Sequence, residues 1–216
     1  MNVIAVLSEK GGVGKTTIAL DLAVAAVRMG LLSAVLDLDP QATASQWTDR
    51  RKEERPWVIT TPAARLVATI SKAKAQGVEL IVIDTPPRMS TEAAEAARRA
   101  DLVLIPVESH TFALETIFKT ADLVRLSGNP PAAFVINKAP AQGHAATVAA
   151  EFITSQGFTV SPVILHLRAA HQHSTNAGMV AAEYDASSKA AEEAAALAEY
   201  VFRFKLNIGG DTNGKR

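Results

Sequence analysis

The chain has 216 residues, 48% of them hydrophobic, and its 22 Lys+Arg balance 22 Asp+Glu to a formal net charge of zero. It contains no cysteine, which excludes disulfides, thiolate catalysis, cysteine-ligated zinc and iron–sulfur clusters. Without a basic excess the chain has no overall charge with which to hold nucleic acid, and no apolar run approaches the ~20 residues that span a bilayer.

Met1-Asn2 leads straight into an apolar run with no charged leader, so a cytoplasmic protein is expected. That first run, residues 2–7, reads as a strand and is followed by a glycine-rich loop. Residues 16–29 read as a helix closed by Gly30. Residues 33–38 form a second apolar run ending in acids, and 42–54 are polar with a helical pattern. A short strand at 57–60, a helix at 63–76 stopped by Gly77, and a fully apolar strand at 80–83 follow. After Pro86-Pro87 come a helix at 91–99, a strand at 102–106 and a helix at 112–126 that stops at Ser127-Gly128-Asn129-Pro130-Pro131. Residues 133–136 read as a strand, 145–156 as a helix closed by Gly157, 159–165 as a last strand and 187–206 as a long Ala/Glu-rich helix. Strands that alternate with helices, and that are apolar throughout, predict an α/β fold with a doubly wound, mostly parallel sheet flanked by helices. No linker or repeat divides the chain, so one domain is expected over 1–206 and a frayed tail over 207–216.

Three segments carry chemistry. The first is Lys10-Gly11-Gly12-Val13-Gly14-Lys15-Thr16-Thr17. Gly11, Gly12 and Gly14 let the backbone curl with its N–H groups inward, and the helix start adds its own N–H groups, which together make an anion site. Lys15 suits the β/γ-phosphate oxygens of a nucleotide and the Thr16 hydroxyl suits Mg2+. The second is Asp37-Leu38-Asp39-Pro40-Gln41, two acids beyond the end of a strand, where ligands of open α/β sheets sit. The residues alone leave Asp39 equally able to cap the helix starting near Ala42. The third is Leu80-Ile81-Val82-Ile83-Asp84-Thr85-Pro86-Pro87, an apolar strand ending in an acid that suits Mg2+.

The phosphate loop departs from the general pattern: Glu9 stands where its first glycine would fall, and Lys10 adds a second lysine. In this it resembles the deviant Walker A motif of the ParA/MinD family of ATPases. Asp-x-Asp-Pro-Gln and Asp-Thr-Pro-Pro likewise resemble the family's two switch segments, and the match is closest to small ParA partition ATPases. The resemblance implies a P-loop ATPase that binds ATP and Mg2+, with Gly11, Gly12, Val13, Gly14, Lys15, Thr16 and Thr17 holding the nucleotide. It implies that Lys10 reaches across a dimer interface to the partner's nucleotide and that Asp39 positions the attacking water. Thr16 and Asp84 would serve Mg2+, and Asp37 its hydration shell or the switch geometry. Asn137 would contact adenine, although an ordinary turn residue is an equal reading, and Pro162 would line the base.

The same resemblance implies an ATP-dependent homodimer, non-specific DNA binding on the nucleoid, and a ParB-like centromere-binding adaptor that stimulates slow hydrolysis to segregate plasmid or chromosome DNA. Arg168 is the candidate DNA contact in the segment His166-Leu167-Arg168-Ala169-Ala170-His171-Gln172-His173, which reads as a polar surface loop rather than a zinc site. Lys189, Arg203 and Lys205 are further candidates. The chain begins at its first strand, so no helix-turn-helix is expected before it. The final helix reads as core-packing, with a short amphipathic membrane anchor as the other reading, and stable membrane association is not expected. A MinD-like membrane-cycling ATPase and a ParA-like positioning factor for a protein cargo are the alternatives.

Overall fold

The computed structural model describes residues 1–88, 90–109 and 114–207. In chain order the elements are β1 (Asn2–Val6), α1 (Lys15–Arg28), β2 (Ser33–Asp37), α2 (Thr43–Thr48), β3 (Trp57–Thr60), α3 (Leu66–Ala75), β4 (Leu80–Asp84) and α4 (Thr91–Arg99). They continue with β5 (Leu102–Glu108), α5 (Leu114–Leu126), β6 (Ala132–Asn137), α6 (Ala145–Ser155), α7 (Ala169–Asn176), α8 (Ala181–Tyr184) and α9 (Lys189–Glu199), the last running into a π turn at Tyr200–Lys205.

The six strands form one sheet in the order β3-β2-β4-β1-β5-β6, and every pairing is parallel. Period-two alternation sends successive residues of each strand to opposite faces. Val3, Ala5, Ile81 and Ile83 face the layer that includes α4, α5 and α6. Ile4, Val6, Leu80 and Val82 face α1, α9 and the π turn. Both faces are therefore buried, which is why these strands are apolar without interruption. Pro106 sits inside β5 at no cost to the ladder. The N–H of Val103 bonds toward β6 and the carbonyl of Leu104 toward β1, so alternation points the missing N–H of Pro106 to the β1 side, where the β1–β5 register has already ended at Leu104. Its absent donor is thus one the sheet does not need. Among the described residues no helix is long and apolar enough to cross a membrane.

Four expectations are corrected. Residues 42–54 are helical only over Thr43–Thr48, because Arg51 is drawn away from the helix by tertiary bonds to the carbonyls of Arg55 and Gly178 and to Glu183. Residues 159–165 form no strand: they meet β6 through an isolated bridge at Val160 and through the Leu165 N–H on the Ile136 carbonyl, and His166 bridges Ala139 just past the end of β6. Pro162 carries no N–H for a ladder, and the Ser161 hydroxyl takes the N–H of Val163 in a turn. The expected loop at 166–173 is largely the helix α7. The long terminal helix starts at Lys189, capped by Ser188, and ends in the π turn, where the Leu206 N–H reaches the Val201 carbonyl five residues back. In that turn Val201 and Phe202 are both buried. Residues 112 and 113 of the expected helix, and 208–216 of the expected tail, lie outside the described residues.

Candidate functional site

The loop after β1 lies at the carboxyl edge of the sheet, flanked by the ends of β4 and β5. Gly12 and Gly14 adopt φ of 76° and 92°, left-handed values that a side chain disfavours. Gly14 is doubly constrained, since a Cβ there would come within 2.3 Å of the Asn137 amide nitrogen. Pro87 packs against Gly11 at 3.6 Å from where its Cβ would be, so the turn after β4 closes the loop from that side.

Lys15 opens α1 and is buried with its Nζ 3.5 Å from the Lys10 carbonyl. Burial pushes its pKa down, and the nearby Asp84 and Asp39 carboxylates pull it back up. The Thr16 hydroxyl donates to Asp84 Oδ2 at 2.6 Å. Asp84 is fully buried, its pKa is pushed up to about 7 by desolvation, and its Oδ1 has no hydrogen-bond partner among the described residues. An orphaned carboxylate oxygen next to a threonine hydroxyl and a lysine is an electrostatic deficit that a hard, oxygen-seeking cation would satisfy, so the residues present fit Mg2+.

Asp37 lies directly beside Asp84 in the β2–β4 register, yet its oxygens are committed elsewhere. Oδ1 accepts the N–H of Asp39, and Oδ2 accepts those of Ala44 and Ser45 at the start of α2. Burial raises its pKa in spite of these three bonds. Asp37, not Asp39, therefore caps α2. Asp39 instead closes its own tight turn through the N–H of Gln41 and lies close enough to influence Lys15 and Asp84.

Asn137 does not present its amide to an open cleft. Its Nδ2 donates to the Val13 carbonyl at 2.7 Å and its Oδ1 accepts the N–H of Lys138. Lys138, in the left-handed region at φ 53°, donates its Nζ to the Gly12 carbonyl. The two residues hold the Gly12 and Val13 carbonyls and so brace the loop from the β6 side. The sequence signal for Lys138 is the Asn-Lys pair at a strand end, which does not by itself mark the lysine as a loop brace. Pro162 is exposed and lines a cleft against α6 with Thr147, Ala150 and Thr154. The cleft that adjoins the phosphate loop is a different one, about 640 Å³, lined by Thr17, Lys138, Leu167, Arg168 and His171.

Arg168 faces that cleft and is tied to Glu193 at 2.6 Å, with His166 on the same carboxylate. Lys189 is exposed at the start of α9, Arg203 is exposed and lies 3.3 Å from Glu199, and the side chain of Lys205 lies outside the described residues. Lys10 is exposed, and its Nζ pairs with Glu108 at 2.7 Å. Glu108 also went unread; the signal was an acid at the end of a strand, as at Asp37 and Asp84, obscured because the strand was expected to stop at Pro106. Among the described residues no cluster of His, Asp and Glu could by itself hold a metal ion.

The family model for the CobQ/CobB/MinD/ParA nucleotide-binding domain matches residues 4–209. The chain is 31% identical over 159 residues to the chromosome-partitioning ATPase Soj of Thermus thermophilus, an alignment covering 59% of this chain and 64% of that one. It is 36% identical over 123 residues to the maintenance of carboxysome distribution protein A of Gloeobacter kilaueensis, covering 55% of this chain and 54% of the other. The chain thus spans between half and two thirds of the length of these relatives. The septum site-determining protein MinD of Pyrococcus horikoshii, solved with Mg-ADP, superposes with a TM-score of 0.75 at 18% identity over 94% of this chain and 96% of its own.

Proposed function

Since the chain belongs to the CobQ/CobB/MinD/ParA nucleotide-binding domain family, we propose that it is a ParA-type ATPase that binds ATP–Mg2+, pairs with a second copy, binds DNA non-specifically and hydrolyses ATP to segregate plasmid or chromosome DNA. The observation that carries the nucleotide half of this reading is the Thr16–Asp84 contact beside the buried Lys15, with the unpartnered Asp84 oxygen. The partition half is supported by the likeness to Soj.

In this reading the loop N–H groups and the start of α1 bind the phosphates, and Lys15 adds its charge at the β/γ position. Thr16 and Asp84 hold Mg2+, which when bound neutralises charge on the phosphate oxygens. Asp39, fixed by the Gln41 N–H, orients the water that attacks the γ-phosphate and takes up its proton, leaving ADP and phosphate. Lys10 reaches the partner's nucleotide, so association and hydrolysis are coupled. The chain acts in the cytoplasm on the nucleoid, and a ParB-like adaptor on the cargo stimulates the slow basal reaction. The likeness to a carboxysome distribution protein supports a second reading in which the cargo is a protein assembly and the ATPase cycle is the same.

Two variants test the site. Lys15→Ala abolishes ATP binding in calorimetry. Asp39→Ala binds ATP with near-normal affinity but loses hydrolysis by about a hundredfold or more, the scale of a lost general base. Normal turnover by Asp39→Ala removes the water-orienting role, and unchanged affinity in Lys15→Ala removes the phosphate-loop assignment.

A further inference from the structure

Lys10 has two ends with different surroundings. Its carbonyl faces inward, 3.5 Å from Lys15 Nζ. Its side chain leaves the phosphate site and pairs at 2.7 Å with Glu108, whose side chain is only 11% exposed against 43% for the lysine. Glu108 ends β5, in register with Asn137 of β6, so it belongs to the same strand-end edge as Asp37 and Asp84. The residue before Lys10 is fastened as well. The Glu9 carboxylate lies 3.7 Å from Lys119 of α5, and its carbonyl takes the Arg88 N–H from the turn after β4. The start of the phosphate loop is thus held by β5, α5 and the second switch turn together, and the Lys10 ammonium is turned toward β5 and away from its own nucleotide site.

We infer that Glu108 is a positioning residue for Lys10, the resting counter-charge that the lysine exchanges for the phosphates of a partner's nucleotide when two copies meet. The inference rests on the reading of Lys10 as acting across the dimer. The exchange replaces one carboxylate with a polyphosphate in an interface from which water is excluded, where charge interactions strengthen. A triphosphate offers a terminal group that competes with Glu108, and a diphosphate lacks it. Glu108 therefore sets the threshold that makes association depend on ATP. Because the lysine itself is 43% exposed, solvent screens the pair and keeps it weak, so the lysine is held without being trapped.

The test is the association of the full chain, measured by sedimentation across a concentration series with a non-hydrolysable ATP analogue and, separately, with ADP. Glu108→Gln, which keeps shape and removes charge, is expected to tighten the ATP-analogue dimer about two- to fivefold, the weight of one solvent-screened ion pair, and to raise the dimer fraction in ADP. Glu108→Asp keeps wild-type behaviour. At concentrations where Lys10→Ala still shows residual association, adding Glu108→Gln does not tighten it, whereas an effect of Glu108 independent of Lys10 would still appear. If Lys10→Ala abolishes association while Glu108→Gln leaves it unchanged or weakens it, the resting-partner role is overturned and the dimer reading stands. If Lys10→Ala associates like wild type, the dimer role of Lys10 fails and the role of Glu108 with it.

Discussion

A single methyl group distinguishes a working phosphate loop from a blocked one at Gly14. The position combines φ 92° with a neighbour, the Asn137 amide, 2.3 Å from any Cβ. Asn137 cannot retreat without releasing the Val13 carbonyl that it holds. Gly14→Ala is therefore expected to destabilise the fold by about 1–3 kcal/mol and to lower nucleotide affinity by more than Lys138→Met, which removes one brace and leaves the turn intact; calorimetry ranks the two. Asp21 shows the opposite use of burial. It lies on α1, its Oδ1 has no hydrogen-bond partner among the described residues, and desolvation, with the nearby Glu183 charge adding to it, pushes its pKa up to about 8. His171 of α7 stands 3.8 Å away, its own pKa lowered by burial. A raised acid contributes stability that is complete below its unfolded value of 3.8 and is lost as pH climbs through the folded value. The loss is at most ~1.4 kcal/mol per pH unit. Between pH 6.5 and 8, where His171 stays neutral, the wild-type chain should lose stability relative to Asp21→Asn, and the two should run parallel above pH 8. Denaturant melts at three pH values decide it; parallel curves throughout would mean that Asp21 is ionised in the fold.

At the scale of elements, the segment from Asp37 through α2 is fastened to the C-terminal third of the chain. Asp37 caps α2, and α2 carries Trp47, fully buried, whose indole N–H donates to the Met179 carbonyl at 3.0 Å. Arg51 stacks 4.5 Å from the Trp47 ring centre and forks onto Glu183. Gly178 makes this contact possible, because a Cβ there would lie 2.4 Å from the Arg50 backbone and its φ is 68°. Gly157 has a similar φ of 83° but open space around it. Gly157→Ala should cost about 1–2 kcal/mol for the left-handed backbone alone. Gly178→Ala should cost clearly more, since backbone cannot yield as a flexible side chain can. Equal losses in thermal melts would show that α2 and the α7–α8 turn are not clamped there. The clamp thus ties α2 to the turn after α7, and α7 itself lines the cleft beside Thr17.

The whole molecule is a sheet with one chemical edge. Parallel pairing brings the ends of β1, β2, β4, β5 and β6 to the same side, and each contributes a candidate site residue there: the phosphate loop, Asp37, Asp84, Glu108 and Asn137. The candidate DNA contacts are dispersed by comparison. Arg168 is tied to Glu193, Arg203 lies near Glu199, and Lys189 stands apart at the start of α9. With zero net charge, one copy offers few cations in one place, and a pair doubles them. DNA binding is accordingly expected only with ATP and with a steep loss of affinity as salt rises. Lys189→Ala and Arg203→Ala should each lower the slope of log affinity against log salt by about 1 per contact removed; fluorescence anisotropy over a salt series measures it. Salt-independent or ATP-independent binding would remove the proposed surface.

How much of this was legible beforehand depends on the range of the interaction concerned. The phosphate loop, the strand-end acids and the parallel sheet follow from local pattern: glycines before a Gly-Lys-Thr-Thr, and apolar runs ending in Asp at β2 and β4. These are set by neighbours in sequence, so composition and spacing reveal them. The polar, His-rich 169–176 segment gives no clear helical periodicity, and the broken edge at 159–165 and the length of α2 escape local pattern because Pro162 lacks a ladder donor and Arg51 takes its conformation from distant partners. The roles of Asn137, Lys138 and Glu108 are of the same kind. Asn137 lies 124 residues from the carbonyl it holds, and Glu108 lies 98 from Lys10. The sequence by itself determined where phosphate chemistry could occur. Only the tertiary structure decided which residues brace the loop and where its second lysine rests, because those contacts exist only once β1, β5 and β6 lie side by side.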